Sequence, residues 1–335
     1  MYKELKWKIP LILAVLLGAV WLAYPLKEKI SLGLDLQGGM HLVLEVKVEK
    51  AVEASLDRLA DDIKRDITEE DLEVDRVKVL FSARQVNVRM VDNLDLPPVK
   101  TVLEKYPFFS MVSEDSDGLG LVYQMSLDQI KQIEKNAVSQ GLETIRNRVD
   151  QFGVSEPTIQ AQGESRILVQ LPGVKDPERA INLIGKTARL EFKLLDEENS
   201  LQQALAGAID EESEILTQRI ENKETGAITK EPFLLKKRTV LTGETLTGAE
   251  VRFDSDFNEP YVALNFNSVG AMIFQQVTRE NIKKRLAIVL DDNVYSAPVI
   301  QDEIAGGRAQ ITGRFTSEEA RDLAIILRAG ALPAP

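Results

Sequence analysis

Apolar and polar positions follow several distinct rhythms along this chain, and each rhythm predicts an element. Residues 9–26 carry no charge. A helix there would be roughly 27 Å long at about 1.5 Å per residue, enough to cross a bilayer core. Trp21 and Tyr24 sit where an interfacial aromatic belt would lie. The stretch Val20–Pro25 lacks the small residues that a signal-peptide cleavage site needs. An uncleaved anchor over 1–29 is therefore predicted. Lys3, Lys6 and Lys8 before it, against Lys27 and Lys29 after it, give a slight bias toward a cytoplasmic N-terminus.

Beyond the anchor, Gly38-Gly39 marks a turn or a close backbone approach, and Leu42-Val43-Leu44-Glu45-Val46 reads as a strand. From Ala51 to about Leu72, Val52, Leu56, Leu59 and Ile63 recur at helical spacing. Val77, Val79 and Phe81, then Val86, Val88 and Met90, alternate as strands. Leu96-Pro97-Pro98 breaks the pattern ahead of a short helix over 99–105, and strands follow near 108–112 and 121–125. Residues 49–126 thus form one inserted βα unit.

The clearest helix is 127–152. Ser126 and Gln129 form a capping box, Leu127, Ile130, Ile133, Ala137, Leu142, Ile145, Val149 and Phe152 make one stripe, and Gly153 supplies the stop. Strands follow at 158–162 and 166–171, and Asp176-Pro177 opens a further helix carrying Ala180, Leu183 and Ile184 inward. Residues 199–240 are more polar, with the run Lys236-Lys237-Arg238; a helix plus an exposed, mobile stretch is predicted there. Regular patterning then returns. Val262, Leu264 and Phe266 alternate, Asn267 and Ser268 cap a helix to about Arg285, and 286–290 pairs with 294–300 around Asp291-Asp292-Asn293. Gly306-Gly307 leads into a strand over 309–312, and Thr316 with Glu319 caps the last helix. The mixture of βαβ units and hairpins predicts an α+β class, with two split, ferredoxin-like βαβ units joined through an inserted domain.

Composition narrows the chemistry. The net charge of −12 argues against a general basic surface for nucleic acid. The absence of cysteine excludes disulfides, a thiol nucleophile and cysteine-bound zinc. His41 is the only histidine, and a lone one beside a Gly-Gly turn reads as structure rather than as a ligand. Asp291-Asp292 suits a hairpin tip, and Gly306-Gly307-Arg308 lacks the strand–loop–helix context of a phosphate site. No catalytic, cofactor or metal site is predicted, and the chain is read as not an enzyme. Asp35, between apolar neighbours, is either an Asx-type cap or a fixed polar anchor at the membrane junction. Phe233, Phe253, Phe257, Phe266 and Phe274 fall within 191–285; most suit a core, and any that line a groove would suit apolar segments of an extended chain.

The run Leu32–Val46, with Leu34, Asp35, Gly38 and Gly39 in a Leu-Gly-Leu-Asp-Leu-x-Gly-Gly signature, resembles the SecD family of bacterial protein-export subunits. So do 285–291 with 294–300, the ending 327–335, and helix 127–152 with its Glu156-Pro157 step. The resemblance covers essentially the whole chain. It implies an inner-membrane protein whose bulk is periplasmic, with a base near the membrane and a head that swings on it and holds emerging polypeptide. It places the base at 30–48, 127–190 and 313–335, and the head at 191–312. Hinges would fall near Leu183, Gly185 and Leu190, and near Thr312 and Gly313. It implies SecF, the SecYEG channel, a YajC-like subunit, unfolded preprotein and membrane lipid as partners, with proton motive force driving late translocation. The family's proton-relay carboxylate would lie beyond Pro335. A periplasmic binding or assembly module of a proton-driven transporter of the wider RND superfamily remains an alternative on these residues.

Overall fold

The computed structural model describes residues 5–23, 38–221, 228–255, 258–313 and 315–335. Its first helix, α1 (Leu5–Ala23), holds Lys6 and Lys8 in its first turn and Pro10 within it. Among the described residues no helix is long and apolar enough to cross a membrane. The expected span over 9–26 thus extends past the described helix, and Leu34 and Asp35 also lie outside the described residues.

Three bodies of structure follow. The first is a four-stranded antiparallel sheet in the order β2-β3-β5-β4, formed by β2 (Val74–Leu80), β3 (Gln85–Met90), β4 (Phe109–Glu114) and β5 (Gly120–Met125). One face is covered by α2 (Val48–Glu69) and α3 (Leu96–Leu103). Leu56, Ile63 and Ile67 from α2 meet Val86, Val88 and Met90 from β3 in its core. Pro97 and Pro98 do not interrupt a helix. They occupy the first turn of α3, where a missing N–H costs nothing and a fixed φ is already helical.

The second body is the sheet β1-β7-β6, with β1 (Gly39–Glu45), β6 (Thr158–Gln162) and β7 (Arg166–Pro172). It packs against α4 (Leu127–Phe152) and α5 (Pro177–Gly185) through Ile145, Val149, Ile167, Val169 and Ile184. Helix α4 occupies the predicted residues, with the Ser126 side chain accepting from Gln129 N–H and Gly153 left-handed at φ 82°. Connectivity through β1, α4, β6, β7 and α5 follows the split βαβ order. The strand that would complete it beside β1 is β8 (Leu190–Leu195), and it pairs with other strands instead. β8 buries residues on both faces, including Leu190, Phe192 and Lys193, so it suits the middle of a closed sheet better than an open flank.

The third body is built around that strand. A closed barrel runs β10-β8-β13-β14-β9, with β9 (Ser213–Glu221), β10 (Ile228–Thr242), β13 (Leu286–Leu290) and β14 (Asn293–Ser296). Here the structure corrects the expectation of an exposed, mobile stretch over 199–240. Among its described residues only 201–205 is helical (α6, Leu201–Leu205), and β9 and β10 form a ladder from Ile228↔Glu221 to Lys236↔Ser213. Phe233 and Leu235 face the barrel core with Ala287, Val289 and Val294, and Leu234 between them is buried too, so it is the polar flanks Lys230-Glu231 and Lys236-Lys237-Arg238 that read falsely as loop. Lys236-Lys237-Arg238 lies within β10. A second sheet, β11-β12-β15, comprises β11 (Leu246–Phe253), β12 (Pro260–Phe266) and β15 (Arg308–Ile311). It packs on α7 (Ser268–Glu280) and α8 (Ser317–Ala329). α7 ends at Glu280, five residues before the expected stop at Arg285.

The expected base–head division meets its main surprise at α8. Its Ala320, Leu323, Ala324, Ile326 and Leu327 join the same core as Phe192, Val262, Leu264 and Phe274. The chain then returns to the second body, where Leu332 and Ala334 pack and Lys47 N–H donates to Pro335 carbonyl at 3.0 Å.

Candidate functional site

A cleft of about 1960 Å³ opens between α5 on one side and α8, the barrel and the β11-β12-β15 sheet on the other. Its aromatic lining comes from four separate segments: Phe253 at the end of β11, Tyr261 on β12, Tyr295 on β14 and Phe315 before α8. Tyr295 and Phe315 stack with ring centroids 6.2 Å apart. Burial, reinforced by Asp291 and Glu319, raises the Tyr295 hydroxyl pKa, so it stays a neutral donor and acceptor at neutral pH.

Charge is concentrated where the two sides meet. Arg179 of α5 donates from Nε and Nη2 to Asp322 of α8 at 2.7–3.2 Å and also pairs with Glu318. Its guanidinium lies 5.5 Å from the Phe152 ring centroid. The hydrogen bond to Asp322 leads the causes that raise its pKa. Asp176 caps α5 by accepting from Arg179 N–H at 3.0 Å. Asp291, expected only to suit a turn, does more. At φ 49° its carboxylate accepts from Ala188 N–H at 3.0 Å and Arg189 N–H at 2.9 Å, tying the barrel hairpin to the chain entering β8. A mixed lining of aromatic faces, hydroxyls and carboxylates suits an extended segment, whose backbone needs polar partners and whose side chains need apolar faces.

Several sequence candidates fall elsewhere. Phe266 and Phe274 are buried with Phe192 in a ring triad with centroids 5.3–5.9 Å apart, and Phe233 is buried in the barrel. These three are core rather than groove, because closing the sheets over them leaves no free ring face. Phe253 lines the cleft and is exposed, whereas Phe257 lies outside the described residues. Of the hinge candidates, Leu183 and Leu190 are buried, Gly185 is exposed, and Thr312 and Gly313 line the cleft. Gly38 and Gly39 take positive φ at the start of β1, where Gly38 carbonyl accepts from Gly173 N–H at 2.9 Å. His41 is exposed on β1, with Nδ1 3.0 Å from Gln170 Nε2.

Sequence reasoning missed Arg148. It lies on the apolar side of α4, one turn from Ile145 and beside Val149, and is only 1% exposed. An arginine at helical spacing within an apolar stripe was the available signal. Burial lowers its pKa to about 10, with Asp291 opposing, so it remains charged at neutral pH.

Comparison with known proteins points one way. The family model described as "SecDF, P1 head subdomain" matches residues 213–334, and "Protein translocase subunit SecDF, P1 domain, N-terminal" matches 138–197. "Protein translocase subunit SecD" of Calditerrivibrio nitroreducens is 47% identical over 335 residues, covering 99% of this chain and 65% of its own length. The SecD of Syntrophobacter fumaroxidans is 44% identical, covering 99% of this chain and 66% of its own. The chain thus spans just under two thirds of these relatives. A crystal structure of SecDF in a super-membrane-facing form is 40% identical, covers 60% of this chain and 27% of its own, and gives a TM-score of 0.48.

Proposed function

The chain belongs to the SecD family of protein translocase subunits, and from that premise we propose that it is a non-enzymatic accessory of Sec-dependent protein export. In this reading it captures unfolded polypeptide in the cleft between its two larger bodies. The observation that carries the reading is the cleft itself. It combines aromatic faces from Phe253, Tyr261, Tyr295 and Phe315 with polar and charged side chains, among them Asp176 and Arg179 of the opposite wall.

The remaining parts of the proposal come from the family. The chain is anchored in the inner membrane through 1–29, with the rest periplasmic. It works beside SecF, the SecYEG channel and a YajC-like subunit, in contact with membrane lipid, and in the whole protein its movement draws on proton motive force. The moving body is the barrel with the β11-β12-β15 sheet, carrying the 191–312 head. Because α8 shares the head's core, we take it to move with that body. The base comprises 30–48 and 127–185 with the returning 330–335, and 49–126 stays attached to it. The crossings are then 186–189 and the stretch near Gly330, so Thr312 and Gly313 act as a cleft wall rather than as a hinge.

Photo-reactive residues at Gln218, Phe253, Tyr295 and Phe315, with a control at Gln160 on β6, test this in membranes holding a stalled export substrate. Crosslinks confined to the cleft positions are expected. Equal labelling at Gln160, or labelling by small amphiphiles in preference to polypeptide, would overturn polypeptide capture.

A further inference from the structure

The chain passes between the three-stranded body and the barrel body twice. One crossing runs from the end of α5 into β8 and the other leaves α8 at Gly330. Arg148, which belongs to neither crossing, reaches both. Its Nη1 donates to the carbonyls of Leu183 at 3.1 Å and Ile184 at 3.0 Å, and also to Lys186. Its Nη2 donates to Gly330 carbonyl at 3.0 Å and to Thr187 carbonyl at 3.4 Å. Among the described residues it forms no ion pair, although it is a buried cation. The crossings also touch each other, since Leu332 N–H donates to Thr187 carbonyl at 2.8 Å.

Helix ends explain the chemistry. The last carbonyls of α5 and the carbonyl just after α8 have no helical donor of their own, and both helix C-termini favour a cation. A guanidinium offers a rigid planar fork of donors that can serve several carbonyls together, which an ammonium point charge does not. One side chain therefore caps two helices that end in different parts of the sequence.

We infer that Arg148 is the pivot on which the two bodies turn. Two separated covalent tethers resist rotation, because turning one body stretches at least one of them. Two tethers gathered at one side chain allow rotation about that point while forbidding sliding. Arg148 is thus a positioning residue that sets the geometry of movement. The inference rests on the proposal that the bodies move, not on what fills the cleft.

The test uses the full chain in vesicles. The protein has no cysteine, so spin labels can be placed at Gln160→Cys on β6 and Arg279→Cys on α7 without competing thiols. Electron–electron distance distributions and amide exchange at Ala188, Arg189 and Leu332 are read in the parent, Arg148→Lys and Arg148→Met. The parent is expected to show one or two narrow distances. Arg148→Met should broaden them and speed exchange at all three amides at least tenfold, with Val169 in β7 unchanged. Arg148→Lys should fall between and decides the matter if the Met variant does not fold. Unchanged distances in a folded variant would overturn the inference, as would faster exchange at one crossing only or a uniform rise across the chain. Peptide crosslinking in the cleft is scored separately, so loss of capture with intact distances counts against the proposed function and not against the pivot.

Discussion

Truncating Phe274 separates a core role from a groove role. The ring is 4% exposed and lies 5.9 Å from Phe192 and 5.3 Å from Phe266, centroid to centroid. Removing a buried phenylalanine side chain costs about 3–5 kcal/mol once the residual cavity is included. Each aromatic pair accounts for about 0.5–1.5 kcal/mol of the interaction lost. Phe274→Ala should therefore destabilise the barrel body by about 4 kcal/mol, and Phe274→Leu, which refills most of the space, by about 1–2 kcal/mol. Against a typical domain stability of about 5–15 kcal/mol, the alanine variant would be marginal. The β2-β3-β5-β4 body has its own core, so one global melting curve would blend separate transitions. Native-state hydrogen exchange resolves them. About 4 kcal/mol corresponds to roughly three decades of faster exchange in β8, β12 and β13, with β3 and β5 unmoved. A change below about 1 kcal/mol, accompanied by weaker peptide crosslinking, would show that the ring serves a groove and would refute the core assignment.

Two further outcomes follow from single sites. Asp196 is buried; desolvation would raise its pKa, but Ser213 Oγ at 2.6 Å, Asn199 Nδ2 at 2.8 Å and the N–H groups of Asn199 and Glu198 outweigh that and lower it to about 2. A carboxylate whose folded pKa is depressed adds stability above its unfolded value near 4, so about 2 kcal/mol should be lost as pH falls from roughly 4 to 2. Urea titrations across that window should show the slope in the parent and a flatter response in Asp196→Asn. Gly307 sits at φ 64°, and a Cβ there would meet Ala271 Cβ at 2.6 Å. Gly307→Ala should cost about 2 kcal/mol in thermal melts, and adding Ala271→Gly should recover part of it; full tolerance of Gly307→Ala would contradict the close approach of β15 to α7.

What the sequence determined by itself is what short-range physics controls. Helix α4 could be read to the residue because Ser126, the apolar stripe and Gly153 act within a few positions of one another. The Thr316–Glu319 box at the start of α8 was legible for the same reason, and both its hydrogen bonds are present. The family, too, was readable, because its motifs are contiguous runs. Other features belong to tertiary structure alone. Strands β9 and β10 looked like loop because charged residues flank their short apolar runs, Ile215-Leu216 and Phe233-Leu234-Leu235, and those runs have meaning only once the barrel closes. Phe266 and Phe274 could have faced a groove or a core until the barrel, the second sheet and α7 closed on one another around Phe192. The cleft draws its walls from segments as distant as Asp176 and Asp322, and Arg148 finds Gly330 carbonyl 182 residues away. Spacing along a chain encodes contacts at i+3 and i+4; which helix ends converge on one guanidinium is decided only when whole bodies pack.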